Sequence, residues 1–279
     1  MALSRRRFLT TCAALTASAH AQPHLPAPRS RTGPVLCLDS RKLPGIDYSQ
    51  FGTILTGLGF DGCDLSVEPG GTIEPANSPV DLVRAIEVVT GDGLEVPVAT
   101  TSFLSIQEPW ARNCLGLCGR SGVVHFRSGY SKFPERIEQR GNDIVNLMAY
   151  GRAAGIGLAL PYPAAEAVVR GLDPDSVGYD FDPSQGSIEP VVARVRTILL
   201  RDARKQGDRM VPCPLGEGTV DWPGFFTALA RARFSGPLTI RPEYPAPDLL
   251  EAIRRDLAFA RKQLNDAYQK ELDSLHSAH

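Results

Sequence analysis

Nowhere in the 279 residues is there an apolar run approaching the ~20 residues a membrane-spanning helix needs, which argues against stable membrane insertion. There is no surplus of positive charge either. Lys and Arg total 30 against 31 Asp and Glu, a formal net charge of -1, so the chain is poorly equipped to neutralise a phosphate backbone and nucleic acid is not an expected partner. Cys114 and Cys118 lie one helical turn apart without a second Cys or His pair, which excludes a zinc site of the usual spacing. No Gly-rich phosphate fingerprint follows a predicted strand, and that counts against a doubly wound dinucleotide fold. What is present is the composition of an ordinary globular protein, long enough for one sizeable core, with a small molecule as the natural ligand.

Ser4-Arg5-Arg6-Arg7-Phe8-Leu9 resembles a twin-arginine export signal, and it is followed by a modestly apolar stretch and the cleavage pattern Ala19-His20-Ala21. Removal of residues 1–21 predicts an exported, periplasmic protein, mildly acidic once three arginines are gone. Residues 22–32 read as a Pro-rich linker. Five cysteines then remain, an odd number that cannot all pair within one chain. Cys37 and Cys63 read as small buried hydrophobes. A disulfide between Cys114 and Cys118 would be strained along a helix.

From residue 33 the chain alternates short β-rich runs with helical periodicity. The runs are Val35–Asp39, Gly62–Val67, Glu95–Thr101, Val123–Arg127, Gly155–Leu160, Val177–Asp182, Thr197–Asp202 and Pro237–Pro242, each followed by a helical segment such as Asp81–Thr90, Ile137–Ala154 or Trp222–Arg233. Eight evenly spaced units predict an α/β protein built as a single (β/α)8 TIM barrel over 33–265, with function at the C-terminal ends of its strands. The last helix keeps apolar residues as far as Leu264 and Leu272, so 266–279 reads as a helical tail or a homo-oligomer contact.

In a barrel, alternate side chains of a strand meet the helices or fill the interior. Apolar Cys63, Leu65 and Val67 then face out and leave Asp64, Ser66 and Glu68 inside. Likewise Val124 and Phe126 leave His125 and Arg127 inside, and Val177, Tyr179 and Phe181 leave Asp180 and Asp182. Leu238, Ile240 and Pro242 place Thr239, Arg241 and Glu243 inward. Interior layers draw on alternate strands, so these four strands can set their charges at common levels. Five acids face two arginines in this set, an excess that calls for a bound cation, raised carboxylate pKa values or solvent access. Two readings stay open: a carboxylate network with Arg127 and Arg241 that merely holds the barrel, or a polyol-binding or acid/base site.

These residues resemble the xylose isomerase-like TIM barrels, the sugar phosphate isomerases and epimerases. The resemblance rests on the run from Pro214 to Phe226 with Phe234-Ser-Gly-Pro-Leu238 and Glu243-Tyr244 after it, on Gly59 to Leu65 followed by Pro69-Gly-Gly71, and on Phe181-Asp-Pro183. It implies a divalent metal (Mn, Mg or Zn) held at the mouth by Asp182 and Glu243, with carboxylates moving a proton beside a sugar carbonyl. The other family ligands are missing. Leu158-Ala-Leu-Pro-Tyr162 offers no Glu, Leu199 takes a His position, and Gln185 stands where a His is often found. Only five His occur in the chain, which excludes a His-rich multi-zinc site. The resemblance therefore implies Glu243, Asp182 and Glu217 as catalytic candidates, with Glu68, His125, Arg127 and Arg241 as carbohydrate-binding candidates. Glu217 reads equally well as a loop-ordering residue between two glycines, and Trp222 as packing the start of its helix. Two functions follow: a sugar isomerase or epimerase with a rearranged acidic site, or a non-catalytic exported barrel that binds a carbohydrate or a partner protein.

Overall fold

The computed structural model describes residues 33–43 and 45–277; the expected signal peptide and Pro-rich linker lie outside the described residues. The first seven strands are β1 (Val35–Asp39), β2 (Gly62–Val67), β3 (Glu95–Thr101), β4 (His125–Arg127), β5 (Gly157–Pro161), β6 (Val177–Phe181) and β7 (Val195–Leu200). Strands β8 (Asp202–Gln206) and β9 (Arg209–Cys213) form a separate antiparallel hairpin, and β10 (Pro237–Ile240) pairs with both β7 and β1. Those pairings close a parallel barrel of eight strands, so the chain is a single (β/α)8 barrel.

Helices α1 (Phe51–Leu58), α2 (Ser78–Gly91), α3 (Ala111–Arg120), α4 (Gly141–Ala154) and the single turn and a half of α5 (Glu166–Arg170) follow the first five strands. Helices α6 (Trp222–Arg231) and α7 (Leu249–Ser277) follow the hairpin and β10. Two expectations need correction. The β6–β7 connection carries only short 3-10 turns, at Pro183–Gln185 and Val192–Arg194, instead of a helix. The expected seventh strand, residues 197–202, ends at Leu200, and Asp202 instead opens the inserted hairpin.

The alternation within strands holds wherever both faces are covered. Cys63, Leu65, Val67, Phe126, Tyr179, Phe181, Leu238 and Ile240 pack in the core between barrel and helices, all at most 4% exposed. Val124 does not. It precedes β4 at the N-terminal rim, where no helix covers it, and is 52% exposed. All five cysteines from Cys37 onward are buried free thiols; Cys114 Sγ lies 3.1 Å from Ser78 Oγ, not in a bridge to Cys118. Helix α7 buries Ile253, Leu257, Ala260 and Leu264, then projects beyond the barrel with Leu272 and Leu275 exposed. No helix among the described residues is long and apolar enough to cross a membrane.

Candidate functional site at the barrel mouth

The deepest polar layer is built by the even strands of the barrel. Arg127 of β4 is fully buried; its Nε donates to Asp180 Oδ1 of β6 at 2.7 Å and its Nη1 donates to Asp64 Oδ2 of β2. Thr239 of β10 completes the ring, accepting from Arg127 Nη2 at 3.2 Å and donating to Asp64 Oδ2 at 3.0 Å. One residue from each of four alternate strands at one level is the layering a (β/α)8 interior requires. Thr100 and Thr197, from the odd strands, donate to Asp64 and Asp180 at 2.7 Å each. Burial raises the Asp64 pKa, against the pull of Arg127. Arg127 itself is fully buried beneath the mouth, while Asp180 and Thr100 of this layer reach the cavity above.

Above it, the strand ends and the loops that follow them bring together four carboxylates and four cations. Asp39, the last residue of β1, is gripped by Arg41, whose Nε and Nη2 donate at 3.0 and 2.7 Å, and by Arg241, whose Nε lies 2.5 Å from Oδ2. Burial pushes the Asp39 pKa up, but these guanidinium groups outweigh it and hold the carboxyl at about 2. Glu68 accepts from Arg41 Nη1 at 2.8 Å and from Lys132 Nζ at 2.6 Å. On the opposite side Arg201, which follows β7, spans the two carboxylates matched to the family's metal ligands. Its Nε lies 3.6 Å from Asp182 Oδ2 and its Nη1 3.3 Å from Glu243 Oε2. Arg241 Nη1 approaches Glu243 Oε1 at 3.6 Å. Burial raises the Asp182 pKa despite Arg201 and two hydrogen bonds from Ser184.

The structure thus gathers Glu68, Asp182, Arg241 and Glu243 at the mouth, over Arg127. It separates two other candidates from them. His125 points inward but is the first residue of β4, so it sits at the opposite, N-terminal end of the barrel beside Val35, Glu95 and Pro237. Burial drives its pKa down to about 4, which keeps it neutral. Glu217 is carried outward by the hairpin and lies against Arg204 and Arg255, at 3.7 and 3.5 Å, in a depression away from Asp182. Trp222 packs its helix start as expected, edge-on to Phe225, with Nε1 donating to Asp202 Oδ2 at 2.8 Å. Asp202 also accepts from the backbone N–H groups of Ala203, Gly216, Gly218 and Val220, so one buried carboxylate orders the whole run from Pro214 to Trp222.

Asp39, Arg41, Lys132 and Arg201 were not anticipated. With them, the interior and mouth hold six carboxylates and five cations, and the expected excess of three negative charges falls to one. Between the two sides lies a cavity of about 260 Å³ lined by Arg41, Ser128, Ser131, Tyr162, Asp182 and Arg201 among others. The hydroxyls of Ser128 and Ser131 are buried there without a hydrogen-bond partner. A divalent metal does not fit these residues. Among the described residues no three His, Cys, Asp or Glu side chains converge on a common point, Leu199 is a buried hydrocarbon in the cavity wall, and both remaining carboxylate ligands already face a guanidinium.

No family model and no curated protein sequence matches the chain. Solved structures do. An L-ribulose 3-epimerase aligns over 85% of this chain and 96% of its own, with a TM-score of 0.64 at 13% identity. A xylose isomerase domain protein from Planctomyces limnophilus covers 86% and 99% with a TM-score of 0.63 at 17% identity. A xylose isomerase-like TIM barrel protein from Mycobacterium smegmatis, solved with magnesium, covers 85% and 98% with a TM-score of 0.62 at 15% identity. The chain shares with these proteins the (β/α)8 barrel fold.

Proposed function

We propose that the barrel is a sugar isomerase/epimerase-like protein that binds a neutral monosaccharide or similar polyol at its C-terminal mouth without a metal ion. The observation that carries this reading is a pair of buried, unpartnered hydroxyls in the wall of a cavity whose cations are already engaged by carboxylates. Buried polar groups need hydrogen-bond partners, and a sugar hydroxyl, donor and acceptor at once, can serve Ser128 and Ser131 as well as the ion pairs around them. The cavity is just below the roughly 300 Å³ at which ligand pockets usually begin, which limits the ligand to about one sugar ring. The fold shared with an L-ribulose 3-epimerase supports the same substrate class.

Calorimetric titration of the purified chain with pentoses and hexoses, in the presence of a chelator, is the direct test. Saturable binding of at least one sugar, weakened tenfold or more in Arg201→Met, is expected; absence of binding across the panel would refute the proposal.

The raised pKa of Asp182 favours a second reading, in which the bound sugar also turns over. Asp182 would then carry a proton to or from the carbon beside the sugar carbonyl, and Arg201 would donate to the oxygen that gains charge. Incubation in deuterated water distinguishes the two. Deuterium entering the sugar at that carbon, and lost in Asp182→Asn, establishes turnover; no exchange leaves binding alone.

A further inference from the structure

Two carboxylates without an intervening cation would repel each other at the mouth, yet Asp182 and Glu243 both face Arg201. We infer that the Arg201 guanidinium takes the place of a divalent cation in this barrel, and that it keeps such an ion off the Asp182 and Glu243 pair over and above the thinness of the donor set. Three observations support the inference. The first is position: Arg201 follows β7 directly, and its side chain lies between Asp182, just past β6, and Glu243, three residues past β10. The second is the form of the contact. The distances of 3.6 and 3.3 Å are those of a shared counter-ion and not of a tight fork-to-fork pair, and Arg201 makes no hydrogen bond among the described residues. Its Nε is buried without a hydrogen-bond partner. The third is the surroundings, where Leu199 and Gln185 line the same cavity in place of further anionic or imidazole ligands.

A guanidinium and a divalent ion differ in ways that matter here. Both neutralise the acids, but the ion gathers several oxygens in its own coordination shell and polarises them, whereas the guanidinium donates in fixed directions and stays charged at every working pH. The exchange converts a metal-gathering mouth into a hydrogen-bonding one.

The test uses manganese and no sugar, so its outcome is independent of whether the barrel binds carbohydrate. The full chain and its Arg201→Ala, Arg201→Lys and Arg201→Ala/Glu243→Gln variants are titrated with Mn2+, with free ion followed by electron paramagnetic resonance and folding by the unfolding midpoint. Arg201→Ala should bind Mn2+ at least tenfold more tightly than the parent and show a midpoint that rises with the ion, since a ligand of the folded state alone stabilises it by mass action. The double variant should lose that gain. Arg201→Lys, which keeps a point charge in the gap, should exclude the ion as the parent does. Stoichiometric Mn2+ on the parent protein would overturn the inference. So would the failure of both parent and a folded Arg201→Ala to bind, because the donor set and not Arg201 would then be the barrier.

Discussion

Replacing Arg127 by Met removes the cation of the deepest layer and leaves Asp64, fully buried, and Asp180, 8% exposed, without their shared partner. An ion pair with charges about 4 Å apart gains about 4 kcal/mol at an effective dielectric of about 20, and Arg127 makes two. Desolvating three charged groups offsets much of that gain, so the intact triad contributes little net stability. Breaking it is different. The two carboxylates remain buried with only Thr100, Thr197 and Thr239 to hydrogen-bond them, and the expected loss is about 3–5 kcal/mol at pH 7. The pH dependence has a definite sign. The Asp64 pKa is already raised in the folded parent by burial, and without Arg127 it must rise further. A carboxyl with a raised folded pKa costs stability once the pH exceeds its unfolded value of about 4, so the deficit of Arg127→Met should shrink as the pH falls from 7 toward 5. Equilibrium denaturation at both pH values measures this. The triple variant Arg127→Met/Asp64→Asn/Asp180→Asn, which removes the charges together, should recover most of the loss. A single variant within about 1 kcal/mol of the parent at pH 7 would refute the reasoning, as would a deficit that grows on acidification.

A second pH effect is expected in α7, where burial pushes the pKa of Asp256 up to about 6 although Tyr244 Oη and Leu215 N–H donate to it at 2.8 and 3.3 Å. The folded chain holds this proton between about pH 4 and 6 while the unfolded chain has lost it, so stability should fall by roughly 2–3 kcal/mol across that window. Asp256→Asn should flatten the fall and raise the denaturation midpoint at pH 7.5; a variant profile parallel to the parent's would contradict the assignment. Export is a proposal resting on the first 21 residues. Arg5→Lys with Arg6→Lys should hold the precursor in the cytoplasm, and mass spectrometry of the exported form should start at Gln22; unchanged periplasmic yield would remove the argument.

The period of two within each strand made the barrel interior readable, because every barrel strand is buried on both faces and a charge there has only one direction to point. Asp64, Arg127, Asp180 and Thr239 follow from it. Alternation assigns a face but not a height, and that is why His125, on the same face as Arg127, lies at the far end of the barrel. Val124 failed for a related reason: the rule needs a helix over the outer face, and the N-terminal rim has none. Asp39 was within reach of the same reasoning, since β1 alternates Val35, Cys37 and Asp39 inward against Leu36 and Leu38. Arg201 was within reach as well, because the expected seventh strand, residues 197–202, sets it on the inward face of Thr197 and Leu199. Arg41 and Lys132 were harder, since they follow strand ends and only the paths of the loops turn their long side chains back over the mouth. Glu217 shows the opposite outcome, because nothing in the local pattern announced that the segment after β7 would pair with itself as a hairpin and carry that carboxylate outward.

Both layers are held by cations of the chain itself. A carboxylate pair awaiting an ion is a liability when the ion is absent, because burial without a partner costs several kcal/mol per charge. Here each mouth carboxylate has a resident cation: Arg41 and Arg241 for Asp39, Arg41 and Lys132 for Glu68, Arg201 for Asp182, and Arg201 with Arg241 for Glu243. The fold can therefore close with no ion bound, and the layer beneath, Arg127 with Asp64 and Asp180, is satisfied without reference to what occupies the cavity. Balance also shapes what can enter. An anionic ligand would compete with the mouth carboxylates for these cations, for example with Glu68, 3% exposed, for Lys132 at 2.6 Å. A neutral polyol adds hydrogen bonds while leaving each ion pair in place, which is the ligand class the proposed function assigns.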